Sequence, residues 1–234
     1  MKITLAQINP IVGDFDGNKQ KIISIIKKSK SDLVVFPELC ITGYSPQDLL
    51  SNPNFIKKNL EALNEIAKAV KNKCAVVGFV DSAGDEIFNS AAVIQNQKII
   101  AVHHKMFLPN YNIFDEKRWF AKGDEPTVFF LKGKKIGINI CEDIWFEETS
   151  RKQKEKGAEL IINISASPYR KGKLEKIENV IRQRYNENKI PIIFVNQVGA
   201  QDGIVYYGHS MFFDKNKIIK KLKDFEEDII LIEL

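Results

Sequence analysis

Two periodicities take turns along the chain. Lys2–Asn9 alternates apolar and polar positions as a strand does, and Pro10–Gly17 supplies a turn. Asn18–Ser29 places Ile22, Ile23, Ile25 and Ile26 along one side, the spacing of an amphipathic helix. Asp32–Phe36 is a short, largely apolar strand stopped by Pro37. A long Pro- and Gly-containing loop follows, FPELCITGYSPQDLLSNP, and Phe55–Lys71 reads as a second helix. Strands are then predicted at Cys74–Val80, Ile87–Gln95 and Lys98–His104, the last two joined as a hairpin across Asn96–Gln97. His103–Gly123 is irregular and rich in aromatics. Strands at Thr127–Leu131 and Lys135–Ile140 lead to Cys141, and Trp145–Lys156 reads as a helix. The order then repeats as strand Glu159–Ser165, helix Leu174–Asn188 and strand Pro191–Gln197. Short strands close the chain at Val205–Tyr207, Ser210–Phe213, Ile218–Leu222 and Ile229–Glu233, with His209 expected in a late strand. Apolar strands alternating with amphipathic helices, plus hairpins, predict an α/β layered fold with mixed sheets in one domain spanning 1–234.

Composition narrows the possible functions. With 44% hydrophobic and 28% charged residues in 234, the chain can bury a large core and is not of the disordered class. The net charge of +5 is the difference of 35 basic and 30 acidic residues scattered along the chain, with no basic stripe interleaved with aromatics, so no nucleic-acid partner is expected. The three cysteines, Cys40, Cys74 and Cys141, have neither metal nor disulfide spacing. No His, Asp and Cys cluster has ligand spacing either, so neither metal nor cofactor is expected. The opening segment is too interrupted for a signal peptide and no apolar run approaches ~20 residues, which predicts no membrane partner and a cytoplasmic protein.

Candidate chemistry sits where apolar strands end. In GINICEDIW (Gly137–Trp145), the apolar run stops at Cys141, Glu142 and Asp143, just before a helix whose acids come first and bases last. A thiol there would be exposed near the positive end of a helix, where a thiolate is stabilised. Glu38 follows LVVFP and Lys105 follows IIAVHH in the same way. Strand-end residues of neighbouring strands converge on one crevice in such sheets. A carboxylate to take the thiol proton, a thiol to attack and an ammonium to hold an oxyanion form a complete set for cleaving a C–N bond through a thioester. Taken singly, each has a plainer reading: Cys141 as a small buried hydrophobe, Glu38 as a loop acid, Lys105 as a solvated side chain, and Glu142 and Asp143 as first-turn helix acids.

FPELCITGY (Phe36–Tyr44), HKMFLPNYNIFDEKRWF (His104–Phe120) and NICEDIW (Asn139–Trp145) resemble the three motif blocks of the nitrilase superfamily of carbon–nitrogen hydrolases. The likeness continues through NISASP (Asn163–Pro168) and NQVGAQD (Asn196–Asp202) to DFEED (Asp224–Asp228). GYSPQDLL, LPNYNIFDEKRWF and the CED triplet are most similar to the glutaminase domains of glutamine-dependent NAD⁺ synthetases. The resemblance implies Glu38 as general base, Lys105 as oxyanion stabiliser and Cys141 as nucleophile. It implies a second glutamate after the lysine, where Glu116 fits and Asp115 competes. For glutamine it implies Tyr111, Glu142 and Ser167, with Tyr44 lining the pocket. Asn163, Gln197 and Asp202 are read as structural polar groups, and His103 and His104 as strand-end residues.

The implied fold is a four-layer α-β-β-α sandwich of two mixed β-sheets, in proteins that usually form homo-oligomers. The implied reaction is hydrolysis of glutamine to glutamate and ammonia as the glutaminase part of NAD⁺ synthesis. No pyrophosphate loop of the SGGxDS type occurs in the chain. That leaves three expectations: a subunit feeding an ammonia-dependent NAD⁺ synthetase, a free-standing amidase or N-carbamoyl amidohydrolase, or an excised domain. A regulatory subunit without catalysis is the alternative of another class.

Overall fold

The computed structural model describes residues 1–234. One sheet contains β1 (Lys2–Gln7), β2 (Leu33–Val35), β3 (Cys74–Ala83), β4 (Glu86–Gln95), β5 (Lys98–His104) and β14 (Asp228–Glu233), in the order β14-β1-β2-β3-β4-β5. The other contains β6 (Val128–Leu131), β7 (Lys134–Ile140), β8 (Leu160–Ser165), β9 (Ile192–Asn196), β12 (Met211–Asp214) and β13 (Lys217–Lys221), in the order β13-β12-β9-β8-β7-β6. A separate ribbon pairs β10 (Val198–Gln201) with β11 (Ile204–Tyr207). The helices are α1 (Phe15–Lys28), α2 (Pro53–Ala69), the single turn α3 (Glu116–Trp119), α4 (Glu147–Glu155) and α5 (Lys173–Asn188).

Each sheet is parallel at its centre and antiparallel at its margins. β1, β2 and β3 run together, as do β7, β8 and β9. Parallel neighbours require crossover connections, which the helices provide, and their strands are apolar on both faces. The two faces divide the core by strand alternation. Ile3, Leu5, Leu33, Val35, Val76 and Val93 point inward and meet Ile136, Ile138, Ile140, Ile162, Ile164 and Val195 of the second sheet. The opposite face of the first sheet, with Val34, Ala75 and Val77, packs on Ile22 and Ile26 of α1 and Leu63 and Ile66 of α2. Ile161, Ile192 and Phe194 of the second sheet pack on Ile177 and Ile181 of α5. The result is helix, sheet, sheet, helix. Each aliphatic side chain fully buried this way contributes roughly 1.5–3 kcal/mol.

The structure departs from the sequence pattern in a few places. Cys141–Trp145 is a 3₁₀ turn and α4 starts only at Glu147, while Asp143 accepts from the backbone N–H groups of Met106, Phe107 and Ile140. The short stretch Val198–Gln201, which the sequence pattern does not mark as a strand, forms β10. His209 lies outside the strands, at φ 60° between β11 and β12, where its two ring nitrogens meet Asp224 Oδ1 (2.7 Å) and Glu178 Oε1 (2.8 Å). No helix is long and apolar enough to cross a membrane.

Candidate active site

The strand pairings bring the C-terminal ends of β2 and β5 to the same edge of the first sheet, since β3, β4 and β5 alternate in direction after the parallel β2–β3 pair. Glu38 follows β2, Lys105 follows β5, Cys141 follows β7 and Ala166 follows β8. All four are buried. The backbone N–H of Ala166 donates to Glu38 Oε2 at 2.7 Å, so strand ends from both sheets meet in one place. Two glycines permit the close approach. A side chain at Gly78 on β3 would collide with the backbone of Pro37–Leu39, which carries Glu38, and one at Gly123 would collide with the His104 backbone beside Lys105.

Lys105 lies at the centre. Its Nζ donates to Glu38 Oε1 at 2.7 Å and to Glu116 Oε1 at 2.8 Å, with all three side chains buried. Burial alone would lower the ammonium's pKa, but Glu116 and Glu38 outweigh it and hold the group well above its ordinary value. Glu38 Oε1 also accepts from Asn89 Nδ2 at 2.7 Å. Glu116 Oε1 also accepts from the Tyr44 hydroxyl at 2.6 Å, while its Oε2 is buried without a partner. Burial and the charge of Glu38 push the Glu116 carboxyl up to about 7 against the pull of Lys105. Of the two adjacent acids, Glu116 is the one that reaches Lys105. Asp115 is exposed and faces Arg118 at 3.8 Å.

Cys141 is held in the left-handed region, φ 44°, at an elbow between β7 and the 3₁₀ turn. Asn163 Nδ2 donates to its carbonyl at 3.3 Å, and Ser165 Oγ donates to Asn163 Oδ1 at 2.7 Å, so Asn163 supports the elbow directly. The sequence pattern predicts an exposed thiol with stabilised thiolate; the structure differs. Cys141 is only 6% exposed. Burial first, then the charge of Glu38, hold its thiol well above its ordinary value, with Lys105 pulling the other way. Of the charged groups around the sulfur, Glu38 acts on it most strongly. The helix expected to polarise the sulfur starts six residues further on.

The remaining candidates surround this centre. The Tyr111 hydroxyl donates to Glu142 Oε2 at 2.9 Å, bridging the aromatic loop to the residue after Cys141. Burial raises the Glu142 carboxyl, partly offset by Tyr111, Lys105 and Lys173. Ser167 is buried, with its N–H donating to Asn196 Oδ1 at 2.8 Å. Tyr44 is buried against Tyr206, whose hydroxyl donates to the Tyr44 carbonyl at 3.0 Å. A cleft of about 320 Å³ opens beside these groups, lined by Tyr111, Phe114, Trp145, Arg170, Lys173 and Lys176. Lys173 Nζ stands 4.2 Å over the Trp145 ring. Burial lowers its pKa, while Cys141 and Glu142 pull it back up, so this ammonium shares the field of the elbow.

Sequence reasoning missed Asn89 and Lys173 and gave Asp143 only a helix-start role. Asn89 had a weak signal, a lone amide inside the apolar strand IFNSAAVI. Lys173 had none beyond the basic run RKGK.

A buried Glu–Lys–Glu cluster beside a strand-end cysteine, in an α-β-β-α sandwich, defines a class, and the chain belongs to it: residues 2–234 match the carbon-nitrogen hydrolase family, and the protein is a carbon–nitrogen hydrolase. It is 38% identical over 239 residues to the glutamine-dependent NAD(+) synthetase of Aquifex aeolicus, a match covering 100% of this chain and 42% of that protein. The solved glutamine-dependent NAD+ synthetase of Acinetobacter baumannii, in complex with adenosine diphosphate, superposes with a TM-score of 0.94 at 36% identity over 98% of this chain and 44% of that one. The chain thus spans less than half the length of these relatives. An amidase of the nitrilase superfamily from Nesterenkonia AN1 shares the fold, with a TM-score of 0.91 at 20% identity over 100% of this chain and 90% of that one.

Proposed function

We propose that the chain hydrolyses the carboxamide of glutamine through a thioester on Cys141, supplying ammonia to a synthetase that makes NAD⁺. The observation that carries the chemistry is the buried Lys105 ammonium, bridged between Glu38 and Glu116 and acting with Glu38 on the Cys141 thiol. Glu38 takes the proton from Sγ as the sulfur attacks the carboxamide carbon. The carbonyl oxygen becomes an oxyanion held by Lys105 and the N–H groups of the elbow. Glu38 returns the proton to the leaving nitrogen, ammonia departs and the thioester forms. A water then gives a proton to Glu38 and attacks the thioester. Glu38 returns that proton to sulfur, and glutamate leaves. Glu116, itself fixed by the Tyr44 hydroxyl, holds the ammonium in place throughout.

Glutamine is favoured over other small amides by the charges beside the elbow. Glu142, oriented by Tyr111, offers a carboxylate to an α-ammonium, and Lys173 offers an ammonium to an α-carboxylate. Similarity of this whole chain to less than half of each glutamine-dependent synthetase supports the same substrate. Free cysteines fit the reducing cytoplasm. Ammonia release from glutamine and from a panel of small amides and N-carbamoyl compounds, with and without an ammonia-dependent NAD⁺ synthetase, tests the reading. Glutamine preference that strengthens with the synthetase is expected. Preference for another amide under both conditions would make the chain a free-standing amidase.

A further inference from the structure

Asp143 is wholly buried and uses both of its oxygens twice. Oδ1 accepts from the backbone N–H groups of Met106 and Phe107, each at 3.0 Å. Oδ2 accepts from the Ile140 N–H at 2.9 Å and faces His103 Nε2 at 3.0 Å. Met106 and Phe107 directly follow Lys105, Ile140 directly precedes Cys141, and His103 lies two residues before Lys105. One carboxylate therefore ties the backbone after the lysine, and the His103 ring before it, to the backbone beside the cysteine.

Those two backbones belong to different sheets. Lys105 leaves β5 of the first sheet and Cys141 leaves β7 of the second. Between the sheets the core contacts are mainly apolar, and such contacts fix neither register nor angle as tightly as directed hydrogen bonds do, of which Ala166 to Glu38 is one and the Asp143 set another. Catalytic groups, in contrast, tolerate only small displacements. We propose that Asp143, braced by His103, is a positioning residue that locks the lysine loop to the cysteine elbow and so sets where the Lys105 ammonium stands relative to Cys141. This rests on the assignment of Cys141 as nucleophile. Asp143 touches no substrate; it acts through the two backbones. His103 Nδ1 is buried without a partner, so the ring is committed to Asp143 alone.

The substitution Asp143→Asn keeps the shape but replaces one oxygen by an NH₂ group. With its oxygen on Met106 and Phe107, the amide nitrogen faces the Ile140 N–H, donor against donor, and the elbow must shift. His103→Ala removes one of the four contacts and leaves the two backbones tied. The test measures glutamine turnover per reactive thiol for wild type and both variants, a thiol being counted only as Cys141 alkylated by iodoacetamide in native molecules, those whose buried Cys40 and Cys74 stay unmodified. Asp143→Asn is expected to lower kcat per titrated thiol roughly 100-fold with KM within about threefold, the pattern of a displaced catalytic group. His103→Ala is expected to lower it roughly tenfold, the loss of one charge-assisted bond. A role confined to folding would reduce the number of titratable thiols and leave turnover per thiol unchanged, and that result in Asp143→Asn would overturn the proposal. Should Asp143→Asn fail to fold, unchanged turnover per thiol in His103→Ala overturns it equally. A wild-type protein whose Cys141 neither alkylates nor supports turnover would instead overturn the nucleophile assignment beneath it.

Discussion

Replacing Glu116 by Gln turns the buried cluster into a measurement of stability against pH. Glu116 Oε1 takes both donors, Tyr44 and Lys105, while Oε2 has no partner. A glutamine can keep its oxygen at Oε1 and place its NH₂ where the bare Oε2 stood, which matches the protonated acid atom for atom. The carboxyl is held at about 7 in the folded protein against an ordinary 4.5. The folded state thus keeps a proton that the unfolded state has lost between those values. Stability from this group is fully present below about 4.5 and is lost as pH rises through 7. Each unit of difference is worth 1.36 kcal/mol, so the wild type loses about 3 kcal/mol across this window, relative to a variant that cannot ionise there. Urea unfolding of both proteins at several pH values from 4.5 to 8 gives the difference directly. The expected result is near-equal stability at the acid end and Glu116→Gln more stable by about 3 kcal/mol at pH 8. Parallel curves would refute the reasoning, since they would mean that Glu116 ionises as freely in the folded protein as in the unfolded chain.

Three further substitutions address other parts of the site. Lys105→Met leaves two buried carboxylates facing each other, and should cost about 3–5 kcal/mol of stability in denaturant unfolding and lower kcat at least ~100-fold. Tyr44→Phe removes a 2.6 Å bond to a carboxylate and should cost about 1.5–3 kcal/mol above pH 7, where Glu116 is ionised, with a smaller loss at pH 5. Lys173→Met should raise KM for glutamine roughly tenfold or more in steady-state kinetics while kcat stays within about threefold, because it removes ground-state and transition-state binding alike. A kcat effect alone would place Lys173 outside the carboxylate contact.

The sequence pattern placed most elements within a few residues, because the inter-sheet core demands uninterrupted alternation and the helices a clear apolar stripe. Glu38, Lys105 and Cys141 were legible for a related reason: each interrupts an apolar run at its end, where a strand delivers it to the rim. The family resemblance favours Glu116 over Asp115, since Phe120 and Gly123 then fall where an aromatic and a glycine are expected, but hydrophobic periodicity alone does not say which acid points inward. The single turn α3 points one inward and the other to solvent, and only the turn's orientation decides which. The exposure of Cys141 was misread because strand, elbow and helix were treated locally, whereas the covering carboxylates and loops come from distant segments. Asp143 and Asn89 stayed hidden for the same reason. Their partners lie 37 and 51 residues away in sequence, and no periodicity records such contacts. β10 was missed because Val198–Gln201 lacks apolar alternation and is held by its pairing with β11.

The central claim is that Cys141 opens the glutamine carboxamide with Glu38 as its base. Ammonia release from glutamine should be measured for the purified wild type and Cys141→Ala side by side, with circular dichroism to show that both are folded. The account predicts glutamate and ammonia in equal amounts from the wild type and none above background from Cys141→Ala. Wild-type release from folded Cys141→Ala would contradict it.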